Sequence, residues 1–320
     1  MSEIWTPDRA ELRKRPHASP GSPFLTLRGG ATAYLHPNLA VEVDEVKGRK
    51  VVASQPIREQ EVVLVDTPYA LVPAMEQDEP PFVPCSNSDC NRRIPRCSES
   101  RIHCEKKCTV EVSWCSSECR SWDSRRHDME CSWLKELSPQ IRDAHGDSDF
   151  GLLWLITRIV ISKQIAGERA KSQATNAMSE DHFDRKGWDA VWNLEGDSHA
   201  FPEDRIAYWT QLTETYLQSS LLEARLSADE TVNLICKVEL NSFGLYPGVT
   251  GEYPIESFVS RGEYYGGGVY PTAAMFNHAC CPNVRENEQQ FMNLLPFGCR
   301  HLPHVLLGHP QTRRAWTEDI

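Results

Sequence analysis

Residues 85–131 read CSNSDCNRRIPRCSESRIHCEKKCTVEVSWCSSECRSWDSRRHDMEC and hold eight of the chain's twelve cysteines, with His127 among them. The second half is C-x3-C-x7-H-x3-C, running from Cys115 and Cys119 to His127 and Cys131. The first half offers Cys85-x4-Cys90 and Cys104-x3-Cys108, with Cys97 between them. Paired thiol and imidazole donors a few residues apart suit a tetrahedral Zn²⁺, because each pair caps one edge of the tetrahedron from a single turn. Eight donors make two closed, four-coordinate sites, and closed sites serve structure, not catalysis. On spacing alone Cys97 competes with Cys104 for one position. The rival reading of eight cysteines is a disulfide framework. No apolar leader precedes them, however, and a histidine at ligand spacing has no part in such a framework.

Composition narrows the partners. The 320 residues carry a net charge of -11, so no global field draws nucleic acid. The cysteine-rich stretch itself holds nine Lys/Arg against eight Asp/Glu. Two zinc ions held by seven thiolates would add about -3 more, since each thiolate sheds its proton to bind. A phosphate-binding finger is basic, and this one points to a protein partner. The longest apolar run, Phe150 to Ile161, contains Arg158 and is too short to span a bilayer. Zinc spacing without a secretory signal places the chain in a reducing compartment, nucleus or cytoplasm.

Outward from the finger, residues 1–37 are polar and Pro-rich, with Arg13-Lys14-Arg15, and read as a disordered tail. Residues 38–84 carry short β-branched runs at 41–43, 50–53, 62–65 and 69–72, bounded by glycine and proline: the strands of a small sheet. Residues 132–240 read as helices, over Trp133–Arg142, Phe150–Ala166 and then around Trp188, Leu212 and Ile235. Their tryptophans read as core packing. Residues 241–283 form a last motif-bearing segment. Residues 284–320 hold three prolines and three histidines with no strand-like pattern. The fold class expected is α+β.

Within that segment, residues 266–283 read GGGVYPTAAMFNHACCPN. Three glycines let a backbone come close to a ligand or turn with positive φ, and Asn277 and His278 follow the apolar Ala273 to Phe276. Taken alone, a Gly-rich turn before a buried segment is common, and a lone His278 is more often a satisfied core residue.

Two resemblances change this. The finger resembles a MYND zinc finger, on Trp114-Cys115-Ser116-Ser117-Glu118-Cys119, Trp122, His127 and Glu130-Cys131. That family interleaves its ligands, which implies one zinc on Cys85, Cys90, Cys115 and Cys119 and another on Cys104, Cys108, His127 and Cys131. The run Phe276-Asn277-His278-Ala279-Cys280-Cys281-Pro282-Asn283 resembles the Asn-His signature of SET domains. Asn241-Ser242-Phe243 resembles the Asn-x-Phe motif, and Lys47-Gly48-Arg49 the Gly-Arg-Gly opening turn, with Lys50 where the second glycine stands. A SET domain split by a MYND finger, with a helical insert after it, is the layout of the SET-and-MYND-domain protein-lysine methyltransferases.

The resemblance implies S-adenosylmethionine as cofactor, contacted by Gly48, Arg49, Asn241, Asn277 and His278. The implied substrate is a lysine-bearing protein, with a histone among the candidates, and the implied finger ligand is a Pro-rich peptide. A free lysine has a pKa of ~10.4 and is no nucleophile at neutral pH. A narrow apolar channel favours its neutral form, and in-line positioning supplies much of the rate. The family closes that channel with a later tyrosine, and no tyrosine follows Tyr270 here. Weak transfer, with no assignable catalytic residue, is therefore expected of this chain. The family's third zinc also lacks partners, because Cys299 alone follows Asn283. A non-catalytic adaptor that binds Pro-rich peptides through the finger is the alternative.

Overall fold

The computed structural model of the chain describes residues 25–26, 32–44, 48–58, 61–75, 81–90, 92–172, 187–218, 226–247, 262–277, 284–286 and 304–308. The β-branched runs form strands. β1 (Leu25–Thr26) and β2 (Thr32–Leu35) pair with each other. β3 (Leu39–Asp44) and β4 (Gly48–Ala53) make a hairpin in register from Leu39↔Ala53 to Asp44↔Gly48. β5 (Val62–Asp66) and β6 (Ala70–Pro73) follow, buried along nearly their whole length.

The finger contributes two small hairpins, β7 (Phe82–Pro84) with β8 (Arg93–Pro95) and β9 (Ile102–His103) with β10 (Ser113–Trp114). Then come the helices α1 (Ser117–His145), α2 (Asp147–Ser172), α3 (Trp188–Trp192), α4 (Glu203–Tyr216) and α5 (Ala228–Asn241). A capping box starts α5, with Ser227 and Glu230 each bonding the other's backbone. After α5 lie β11 (Ser242–Leu245), β12 (Gly266–Val269), a 3₁₀ turn at Ala273–Met275, β13 (Val284–Glu286) and β14 (His304–Gly308).

Small antiparallel sheets and helices together give the α+β class. One sheet has the order β1-β2-β5-β14-β13, another β11-β12-β6. The second sheet divides two cores. Ala70, Val72 and Val269 belong to a large core shared by the helices and the finger, with Trp133, Phe150 and Trp154 stacked in sequence. Leu245, Tyr265 and Tyr270 belong to a smaller core with Val51, Val63 and Met275. Over Asp147–Arg169, α2 is long and apolar enough to cross a bilayer, yet 61% of that window is buried inside the protein.

Four expectations change. α1 carries the finger's last three ligand positions and runs on without a break to His145, through Pro139. The helix starts sixteen residues before Trp133 because its apolar stripe is written in Cys119, His127 and Cys131, which read as ligands and not as periodicity. Strands β1 and β2 lie within the first 37 residues, and β13 and β14 lie beyond residue 283. Both pairs gain their order from β5, which β2 and β14 flank, and such non-local pairing leaves no local signature. The glycines of β12 make no turn. A Cβ on Gly266 would lie 2.7 Å from the Val72 carbonyl oxygen, and one on Gly268 would lie 2.9 Å from that of Ala70. They let β12 close on β6.

Candidate metal centres and cofactor site

Hairpin and helix deliver the eight donors. Cys85 follows β7, and Cys90 closes a turn in which its N–H bonds the Asn87 carbonyl. Cys115 follows β10, and Cys119 lies in the first turn of α1, where its N–H donates to the N-cap Ser116 Oγ at 3.2 Å. Cys104 follows β9, Cys108 lies beyond it, and His127 and Cys131 stand one turn apart on α1. The structure gathers Cys85, Cys90, Cys115 and Cys119 in one set, and Cys104, Cys108, His127 and Cys131 in another, each with all donor atoms within 4.8 Å of one another. Cys97 is exposed and outside both sets.

The spacing fits a tetrahedral cation. A Zn–S bond of about 2.3 Å implies an S···S edge of about 3.8 Å. The sulfurs of Cys90 and Cys115 lie 3.6 Å apart, those of Cys115 and Cys119 3.5 Å, and those of Cys104 and Cys131 3.6 Å. His127 Nε2 lies 3.1 Å from the Cys104 sulfur and 3.8 Å from that of Cys108. Burial pushes the Cys104 thiol up, but its bonds with His127 and two backbone amides outweigh this and bring it down to about 6.

Behind the second set lies a buried charge network that sequence reading missed. His127 Nδ1 faces Glu130 Oε1 at 3.2 Å. Glu130 is wholly buried and accepts from Trp154 Nε1 at 2.8 Å and from Arg158 Nε and Nη2 at 3.0 and 3.1 Å. Arg126 Nη1 lies 2.7 Å from the same carboxylate, and its Nε donates to Asp123 at 2.6 Å. Arg158 Nη1 donates to the Leu71 carbonyl, so the chain of bonds reaches from His127 to β6. Burial opposes the charge on Glu130, yet Arg126 and Arg158 hold its carboxyl well below the usual carboxylate range. The signal was present in two places: an acid three residues after a candidate ligand on a helix, and a single cation inside an otherwise apolar run.

The residues expected at a cofactor come together in part. Gly48 opens β4, its partner across the hairpin being Asp44. Arg49 Nη2 donates to the Asn193 carbonyl at 2.6 Å and lies 3.4 Å from Glu195 Oε1. Asn241, the last residue of α5, donates through Nδ2 to the carbonyls of Glu195 and Lys237, at 2.6 and 2.7 Å. Arg49 and Asn241 therefore meet at the 193–195 turn. Lys50 faces Glu42 across the hairpin, 3.9 Å away. Asn277 ends the segment that packs Ala273 and Met275 on Val51 of β4, and its Nδ2 is buried without a partner among the described residues. His278, Lys47, Cys280 and Cys299 lie outside the described residues.

Two cavities flank these elements. One of about 590 Å³ lies between the finger, α2 and the turn joining β5 to β6, reaching Asp66, Tyr69, Trp122 and Pro271. The other, of about 370 Å³, lies between the start of α2, α5 and β11, with Asp149, Arg205, Glu239 and Phe243 on its walls. Neither is lined by Arg49, Asn241 or Asn277.

No family model matches the chain. A SET and MYND domain-containing protein of Dictyostelium discoideum is 27% identical to it over 301 residues, 87% of this chain and 53% of that relative. The histone-lysine N-methyltransferase ASHR2 of Arabidopsis thaliana is 24% identical over 256 residues, 78% of this chain and 57% of the relative. The N-lysine methyltransferase SMYD2 of Sus scrofa is 24% identical over 176 residues, 54% of this chain and 33% of the relative. The chain spans about half the length of the first two relatives. These distant relatives support a methyltransferase family of the SET-and-MYND type.

Proposed function

We propose that the chain carries the S-adenosylmethionine site of a protein-lysine N-methyltransferase, built on a SET-type core that two zinc ions brace. The observation that carries the reading is Asn277. Its buried amide nitrogen has no partner among the described residues, and it ends a turn packed on the strand that carries Gly48 and Arg49. A buried donor left unmade costs about 1–3 kcal/mol, so a protein that keeps one holds it for something. S-adenosylmethionine presents such acceptors in its carboxylate and adenine nitrogens. Bound there, it supplies a sulfonium methyl as the group transferred.

The chain's own residues do the rest. Asn277 donates to the ligand. Arg49 and Asn241 hold the 193–195 turn between β4 and the end of α5, which fixes the distance between the two halves of the site. The substrate is a lysine of a protein, a histone among the candidates, whose amine loses its proton on entering an apolar channel. The zinc ions take no part in the chemistry, because four protein donors leave no open position. Thiolate ligands favour a reducing compartment, nucleus or cytoplasm.

The test is calorimetric titration of the full chain with S-adenosylmethionine. Asn277→Ala should weaken binding about tenfold, the equivalent of ~1.4 kcal/mol, without loss of folded stability, since it removes a donor that has no partner among the described residues. Labelled methyl should reach lysines of a mixed protein pool only weakly, because no tyrosine follows Tyr270 to close the channel. No cofactor binding by the unaltered chain would sink the proposal.

A further inference from the structure

We infer that Asp66 is a positioning residue for the Asn277 segment; the functional meaning of this rests on the reading above. The 3₁₀ turn Ala273–Met275 carries no cap of its own, because Thr272 in the capping position makes no side-chain hydrogen bond. Asp66, the last residue of β5, supplies the cap from far away in sequence. Its Oδ2 accepts the Ala273 N–H at 3.0 Å, and its Oδ1 accepts the Thr67 N–H at 2.9 Å. Asp66 is only 4% exposed, so little water competes for this bond.

Position makes the bond consequential. β5 lies between β2 and β14 in the five-stranded sheet, and Asp66 pairs with His304 of β14. The other turn bonds are short-range, with Ala274 N–H to Tyr270 O, Met275 N–H to Thr272 O and Phe276 N–H to Ala273 O. They set the shape of the turn but not its place. The Asp66 bond ties its first amide to the sheet, and Ala273 and Met275 share the smaller core with Val63 and Leu64 of the same strand. Four residues after Ala273 comes Asn277. A shift of the turn carries the Asn277 donor with it, and small misplacements of a binding group are costly.

The experiment compares the full chain with Asp66→Ala and Asp66→Asn by hydrogen exchange and by titration with S-adenosylmethionine. Asp66→Ala should speed exchange of the 273–276 amides roughly five- to a hundredfold, the cost of leaving a buried donor unpaired, while the β3–β4 hairpin keeps its protection. Cofactor affinity should fall about tenfold on the same grounds. Asp66→Asn keeps an oxygen for the Ala273 N–H and should restore both. Exchange at 273–276 unchanged in Asp66→Ala overturns the inference, as does a uniform rise that includes the hairpin. If the unaltered chain binds no cofactor, the functional reading fails, and the exchange arm still decides whether Asp66 holds the turn.

Discussion

Cys119→Ala is expected to unfold the finger and, with it, the cooperative melt of the whole described core. Cys119 belongs to the first donor set, with Cys85, Cys90 and Cys115, and it also lies in the first turn of α1. The finger has little else to hold it. Its strands are two or three residues long, and hairpins of that size have no independent stability. Structural zinc contributes an apparent ~10–16 kcal/mol to folding, against about 5–15 kcal/mol for the net stability of a domain. The sulfurs of both sets lie in the same apolar core as Trp133 and Trp154, so the damage does not stay local. Circular dichroism and zinc release to a colorimetric chelator would measure it. Cys97→Ala is the control. Exposed and outside both sets, it should change stability by no more than about 0.5 kcal/mol. A Cys119→Ala protein that melts like its parent would remove the metal from the account.

Glu130→Ala should destabilise the fold by about 3–5 kcal/mol, because it strands a buried guanidinium without its counter-charge. Arg126 keeps Asp123, but Arg158 keeps only the Leu71 carbonyl among the hydrogen bonds it makes here, and it is 1% exposed. Metal affinity should also fall about 10–100-fold, since His127 loses the carboxylate that orients its ring. The informative comparison is the double change Glu130→Gln with Arg158→Met. Replacing both members of a buried ion pair by neutral groups is far cheaper than removing one. The double variant should therefore melt closer to the parent than Glu130→Ala does. Denaturant midpoints and zinc competition would report both effects. If the double variant were the less stable, the pair would not be the compensated charge described.

Much of this was legible before any coordinates. Cysteine and histidine at ligand spacing are chemically unlike core or surface residues, so all eight donors stood out by type. What spacing could not separate was Cys97 from Cys104. The choice depends on β9, which ends one residue before Cys104 and delivers it inward while Cys97 stays in an exposed turn. The strand runs at 41–72 were legible because β-branched residues between glycines and prolines leave few options.

The buried charges left only a faint signal, for the opposite reason. Asp123, Arg126 and Glu130 are charged residues in a charged stretch, and charge on a helix normally reads as a solvated face. Only α2 arriving with Arg158 turns that face into a core. The C-terminal strands were hidden because β14 owes its order to β5, a pairing that no local pattern records. Asp66 was overlooked on the same account, its partner being an amide 207 positions away.

The central claim, that two closed four-donor centres brace this core, is met most directly by metal analysis of the purified chain. The account predicts two zinc ions per chain, both lost together with the folded finger on acidification, because thiolate and imidazole donors must shed their protons to bind. One ion or none in a folded, cooperatively melting protein would contradict it.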